Sequence, residues 1–174
     1  IGAFTDDDLF DAVTLAAMHT NSRLYLIAGA LPGVDWLRSA SLGDVDSVQI
    51  TQSKPVHSWL GTEAESLIDL HYLNAATAFF NGSARQAASM FQKSSNITAM
   101  LALATVGLDT TQVTLVADPN LKTMQTRIEF QGALGSLDVT WRGVPSSTNP
   151  STSADVPYSV IKAIKNITEN VVLG

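Results

Sequence analysis

The sequence predicts an α+β domain: a mixed, largely antiparallel sheet with helices packed on one face. Three observations carry this. Val45 to Thr51 alternates Val48 and Ile50 against Ser47, Gln49 and Thr51, the period-2 signature of a strand with one wet face. Gln125 to Phe130 and Leu137 to Trp141 read as two strands joined across Gln131 to Ser136, a hairpin. Several other stretches place apolar residues at helical spacing between strand-like runs. Hairpins mixed with strand–helix–strand units give about five strands and five or six helices in a mixed sheet.

Asp6 to His19 carries Leu9, Phe10, Val13, Ala16 and Ala17 on one side, so a helix is predicted, with Thr5 as N-cap and Asp6 to Asp8 at the positive end of its dipole. Arg23 to Ala28 is a short apolar run read as a buried strand. Gly29 to Gly33 turns the chain into a short helix over Val34 to Ala40, with Pro32 near its start. Glu63 to Phe80 is expected to be mostly helical, with a looser segment possible from Asn74. Ser83 caps a helix from Ala84 to Phe91, and Ser94 or Ser95 caps the next, in which Ile97, Met100, Leu101, Ala104 and Leu108 share a side and Gly107 stops the helix. Gln112 to Ala117 is a strand, and Asp118-Pro119-Asn120 a turn. Val144 to Ala154 is loop. A closing helix runs from Pro157 to Val172, with Val160, Ile161, Ile164 and Ile167 expected to face inward.

The 174 residues are 45% apolar and 15% charged, a balance that supports a packed core rather than disorder. The formal net charge is −6 and the ten basic residues are scattered, which argues against a nucleic-acid partner. No apolar run approaches the roughly 18 residues of a membrane span, so no membrane partner is expected. With no cysteine, a disulfide framework and a thiolate metal site are excluded, and a cytoplasmic setting is expected. The chain opens Ile-Gly-Ala rather than with methionine, as the latter part of a longer protein would.

Neither a G-x-G-x-x-G nor a G-x-x-x-x-G-K-[ST] phosphate loop occurs, and no His or carboxylate cluster has metal spacing. His57, in a polar loop after Lys54-Pro55, is the best placed of the three histidines for proton transfer. The small residues of Gly29 to Gly33 would let a flat ligand approach the backbone, and Asn96 at a helix entry could bond a ligand amide. By spacing alone an ordinary tight connection and a helix cap explain these two features as well.

Several segments, taken in order, carry a resemblance: Arg23 to Leu26 leading to Gly29-Ala30, Lys54-Pro55, Phe79 to Arg85 (FFNGSAR), Lys93 to Ile97 (KSSNI), Gly107-Leu108-Asp109, Val116 to Pro119 (VADP), Gly132 to Gly135 (GALG), Val144 to Ser146, and Asn149-Pro150 to Thr152-Ser153. Together they resemble the L-aspartate dehydrogenase family along nearly the whole chain. The resemblance implies that residues 1–22 are the tail end of a Rossmann-type coenzyme domain, 23–150 the catalytic and dimerisation domain, and 151–174 the closing helix. It implies a homodimer formed through the sheet, and NAD or NADP as cofactor. It also implies oxidative deamination of L-aspartate, or a related amino acid, to the imino and oxo acid, with an aspartate- or oxaloacetate-like molecule as the small-molecule partner. The backbone near Ala30 and the side chain of Asn96 match family positions that contact the cofactor at its nicotinamide end.

The chain departs from the family pattern at Met124-Gln125-Thr126, where the family carries Asn-x-His. The proposed acid/base histidine thus falls on Thr126, and a threonine hydroxyl does not exchange a proton readily near neutral pH. Ser151 is a second departure, from a lysine. Three accounts follow. Thr126 positions a water while Lys54 or His57 moves the proton; the substrate is a different amino or oxo acid; or the domain is a catalytically impaired homologue serving as a dimerisation or ligand-sensing module.

Overall fold

Alternation of apolar and polar side chains builds a five-stranded sheet at the centre of the computed structural model, which describes residues 1–147 and 153–172. The strands are β1 (Val45–Lys54), β2 (Thr77–Ser83), β3 (Gln112–Ala117), β4 (Gln125–Gly132) and β5 (Gly135–Arg142), in the order β2-β3-β1-β4-β5. β1 runs parallel to β3; the other three pairings are antiparallel. The mixed, largely antiparallel sheet expected from the sequence is therefore the sheet observed.

Val48 and Ile50 of β1, Val113, Leu115 and Ala117 of β3, and Ile128 and Phe130 of β4 all point to one buried face. Against that face pack the helices α2 (Val34–Ala40), α4 (Ala84–Met90) and α5 (Ser95–Ala104), which contribute Leu37, Ala84, Ala87, Met100 and Leu101 to the same core. Trp59 is 1% exposed and meets Phe79 and Phe91 edge-on at ring-centre distances of 4.8 and 6.1 Å. The opposite phase of the strands is polar. Arg127 clamps Asp138 across β4 and β5 with two hydrogen bonds of 3.0 and 2.7 Å.

Local signals set several boundaries. α1 (Asp7–His19) is capped by Asp6, whose carboxylate accepts from Leu9 N, so the cap lies one residue beyond Thr5. Ser83 and Gln86 form a reciprocal capping box at the start of α4. Asp118 accepts from Asn120 N at 2.8 Å and closes the turn after β3. Gly107 has φ +87, and its N–H donates to Ala102 O, ending α5 as a left-handed glycine does.

Three expectations are corrected. Arg23 to Ala28 is not a strand; it pairs with no strand among the described residues and runs over the surface, with Tyr25 half exposed. A short apolar run is as compatible with a covering segment as with a strand. Glu63 to Phe80 is not mostly helical. It holds the short α3 (Ala64–Leu67), a 3-10 turn at Leu70–Tyr72, and then β2, because β3 needs an antiparallel partner at its outer edge and the Phe79 and Phe80 rings fill the space around Phe91. The closing helix α6 (Val156–Thr168) forms, but Val160, Ile161, Ile164 and Ile167 are 39–58% exposed rather than inward. α6 is held by its other contacts: Gly29 N donates to Ser159 Oγ at 3.0 Å, and Lys162 pairs with Asp35 at 3.5 Å.

Candidate active site

The last residues of β1 bring polar groups onto the buried phase of the sheet. Continuing the alternation past Ile50 places Gln52 and then Lys54 beneath the start of α5. Gln52 is 1% exposed; its Nε2 donates to Thr98 Oγ1 at 2.6 Å and to Ser94 O at 3.1 Å, which fixes the entry of α5 over β1. Lys54 Nζ donates to Ser94 Oγ at 2.6 Å and lies 4.6 Å from the centre of the Trp59 ring. No carboxylate pairs with it among the described residues. Desolvation of the ammonium pulls its pKa down to about 8, because burial without a counter-charge disfavours the charged form.

Lys54 and Gln52 open onto a cleft of about 310 Å³, bordered by Gly29 and Ala30 on one side, Asn96 and Ile97 on another, and Met124 and Ser153 at its far end. Val156 and Val160 of α6 complete the wall. Gly29 has φ +63, and a Cβ there would meet nothing within 4 Å, so the loop presents open space at Gly29. Asn96 Oδ1 accepts from Gly2 N at 2.8 Å and from the Ile1 amino group at 3.4 Å. A second compartment of about 580 Å³ shares Lys54, Lys93, Ser94, Met124 and Ser153 with the first, so the two form one continuous cleft. His57 lines this outer compartment together with Lys122.

The structure thus brings Lys54, Ala30 and Asn96 to one cleft and His57 to its extension. Thr126 stands apart from the lining. It pairs with Gln52 across β1 and β4 and with Trp141 across β4 and β5, is 1% exposed, and its Oγ1 has no hydrogen-bond partner among the described residues. Ser151 lies outside the described residues. Residues the sequence reading missed are Gln52, Ser94 and Ser153. A signal for Gln52 existed: it is an amide in the buried phase of β1, and the strand had been ended at Thr51. No local signal marks Ser94 as the partner of a lysine forty residues away.

A lysine, an amide and a glycine loop thus converge on one cleft of an α+β domain built on a mixed sheet, with a desolvated amine at its centre. Residues 35–167 match the family described as "Aspartate dehydrogenase, C-terminal", and the chain belongs to the aspartate dehydrogenase family. It is 42% identical over 166 residues to an L-aspartate dehydrogenase of Pseudomonas aeruginosa and 39% identical to one of Cupriavidus taiwanensis; each match covers 95% of this chain and 62% of the relative. The fold is similar to the crystal structure of aspartate dehydrogenase from Thermotoga maritima, with a TM-score of 0.78 and 25% identity, covering 99% of this chain and 65% of that one. The chain therefore spans about three-fifths of the length of the curated relatives it matches.

Proposed function

We propose that this chain is the catalytic and dimerisation part of an NAD(P)-dependent oxidoreductase that oxidatively deaminates L-aspartate or a closely related amino acid. In this reading Lys54 carries the proton that the family's histidine would carry. The observation behind it is the uncompensated Lys54 ammonium at the floor of the cleft, held by Ser94 and titrating near 8. An amine with that pKa is present in both forms near neutral pH, as a general acid/base must be. In its neutral form Lys54 accepts a proton from the substrate ammonium and leaves a lone pair on nitrogen. That lone pair supports departure of the C2 hydride and formation of the C=N bond; water then adds to the imine to give the oxo acid and ammonia.

A nicotinamide coenzyme, when bound, supplies the hydride acceptor. The residues present fit such a group: the open space over Gly29 accommodates a flat ring, and Ala30 and Asn96 border the same cleft. Thr126, behind Gln52, contributes by packing rather than by proton transfer, and His57 belongs to the outer compartment. The phosphate-binding turn is assigned to a coenzyme domain of which residues 1–22 form the tail. The exposed apolar side chains of α1 (Leu9, Leu15, Met18) and α6 (Ile161, Ile164, Ile167) support such a neighbour. The polar, open face of the sheet is the proposed homodimer surface, and sedimentation should give twice the monomer mass.

The test is NADH or NADPH oxidation by the full-length protein carrying this chain, with oxaloacetate and ammonia. Turnover that falls about 10²- to 10⁴-fold in Lys54→Met, with coenzyme binding retained, is the expected result. Coenzyme binding without any turnover in the unaltered protein would instead support the ligand-sensing alternative.

A further inference from the structure

Asn96 borders the inner compartment, and half of its amide is already committed. Gly2 N donates to Asn96 Oδ1 at 2.8 Å, and the Ile1 nitrogen donates to the same oxygen at 3.4 Å. Two donors on one atom fix which way the amide is turned. Oδ1 faces residues 1 and 2; a flipped amide would set Nδ2 against N–H groups. Nδ2 makes no hydrogen bond among the described residues. What Asn96 has left to offer the cleft is therefore a donor, and its complement is a carbonyl oxygen.

The segment that holds Asn96 is itself held. Gly2–Thr5 is a 3-10 turn, closed by Thr5 Oγ1 donating to Gly2 O at 2.8 Å. Arg85 Nη1 donates to Thr5 O at 3.0 Å, while Nε and Nη2 grip the Asp109 carboxylate at 2.7 and 2.9 Å. The Gly2 N–H is thus in place before any ligand arrives. Only a glycine fits there: a Cβ would lie 2.5 Å from Ser95 Oγ and 3.2 Å from Asn96 Oδ1. Ser95 is buried and its hydroxyl donates to Gln92 O at 2.7 Å, so retreating would cost it that bond. We propose that Gly2 is a positioning residue, whose peptide N–H turns the Asn96 amide so that Nδ2 donates to the carbonyl oxygen of the nicotinamide carboxamide. This assignment rests on the proposed NAD(P)-dependent oxidation. It makes residues 1–5 part of the coenzyme site, so the orientation of the ring depends on where that segment lies on α5.

The experiment measures equilibrium binding to the full-length protein carrying this chain, by titration calorimetry. It compares NADH with ADP-ribose, and NADPH with the 2′-phosphate of ADP-ribose; the second member of each pair lacks the dihydronicotinamide ring. Asn96→Asp keeps the acceptor for Gly2 N–H and replaces the donor with an oxygen. It should weaken the ring-bearing member at least about tenfold and leave the ring-less member and the urea midpoint unchanged. Gly2→Ala should weaken the ring-bearing member about three- to tenfold, again with the ring-less one unchanged. Gly2→Ala/Ser95→Ala removes the nearest obstacle, leaving Ser95 Cβ at 3.7 Å, and should recover most of that loss. If Asn96 only ties residues 1–5 to α5, Asn96→Asp will bind NADH and NADPH as the unaltered protein does, and Gly2→Ala will weaken both members of a pair together. Either result would overturn the proposal, and so would a double variant that recovers nothing. Should neither dinucleotide bind the unaltered protein, the oxidoreductase reading falls too. Should they bind and turn over while the ratios within each pair stay fixed across the variants, the positioning role alone falls.

Discussion

Replacing Lys54 with methionine is expected to stabilise the fold at neutral pH while removing turnover. The side chain titrates near 8 in the fold against an ordinary 10.5. Each tenfold change in acidity is worth about 1.4 kcal/mol, so holding the ammonium in the cleft at pH 7 costs about 3 kcal/mol relative to a neutral group. Methionine matches the length, removes the charge, and forfeits the bond to Ser94 Oγ and the contact with the Trp59 ring, worth about 2 kcal/mol together. The net expectation is a gain of about 1 kcal/mol. The sign with pH follows from proton counting. Between pH 8 and 10.5 the unfolded chain binds the proton that the folded one has released, so the stability of the unaltered protein rises across that window, and the variant's advantage shrinks and then reverses. Urea unfolding at pH 7 and pH 10.5, beside initial rates of oxaloacetate reduction, tests both halves. A variant destabilised equally at both pH values, or one that retains turnover, would refute the reasoning.

Further outcomes follow from neighbouring groups. Gln52→Leu strands Ser94 O and Thr98 Oγ1 and should cost about 1–3 kcal/mol in urea unfolding; it should also move the Lys54-dependent limb of the pH–rate profile, because Ser94 is no longer held. Thr126→Val removes a buried, unpartnered hydroxyl and should raise the urea midpoint by an amount equivalent to about 1 kcal/mol. Thr126→His enlarges a filled site behind Gln52 and should lower stability by about 1–3 kcal/mol without raising aspartate turnover, measured on the same preparation. Arg85→Ala loses its bonds to Thr5 O, Asp7 and Asp109; amide exchange over residues 1–19 should quicken while the core amides keep their protection.

Most of the framework was legible in the chain itself. β1, β3, the β4–β5 hairpin, α2, α4 and α5 follow from alternation, helical spacing, the Ser83 cap and the Asp118 turn, all of which act over a few residues. The family motifs likewise pointed to Lys54, Ala30 and Asn96, now found around one cleft. What local pattern did not contain was pairing and burial between distant segments. β2 is a strand because β3 has a free edge and Phe79 and Phe80 meet Trp59 and Phe91; no signal within Glu63 to Phe80 records that. Arg23 to Ala28 is apolar but has no neighbouring strand, and the periodic face of α6 is apolar yet exposed. The cleft depended most on tertiary structure. Lys54 titrates near 8 only because folding strips its water without supplying a carboxylate among the described residues. Sequence sets which groups are present and their local geometry; desolvation and encounter across tens of residues decide what those groups can do.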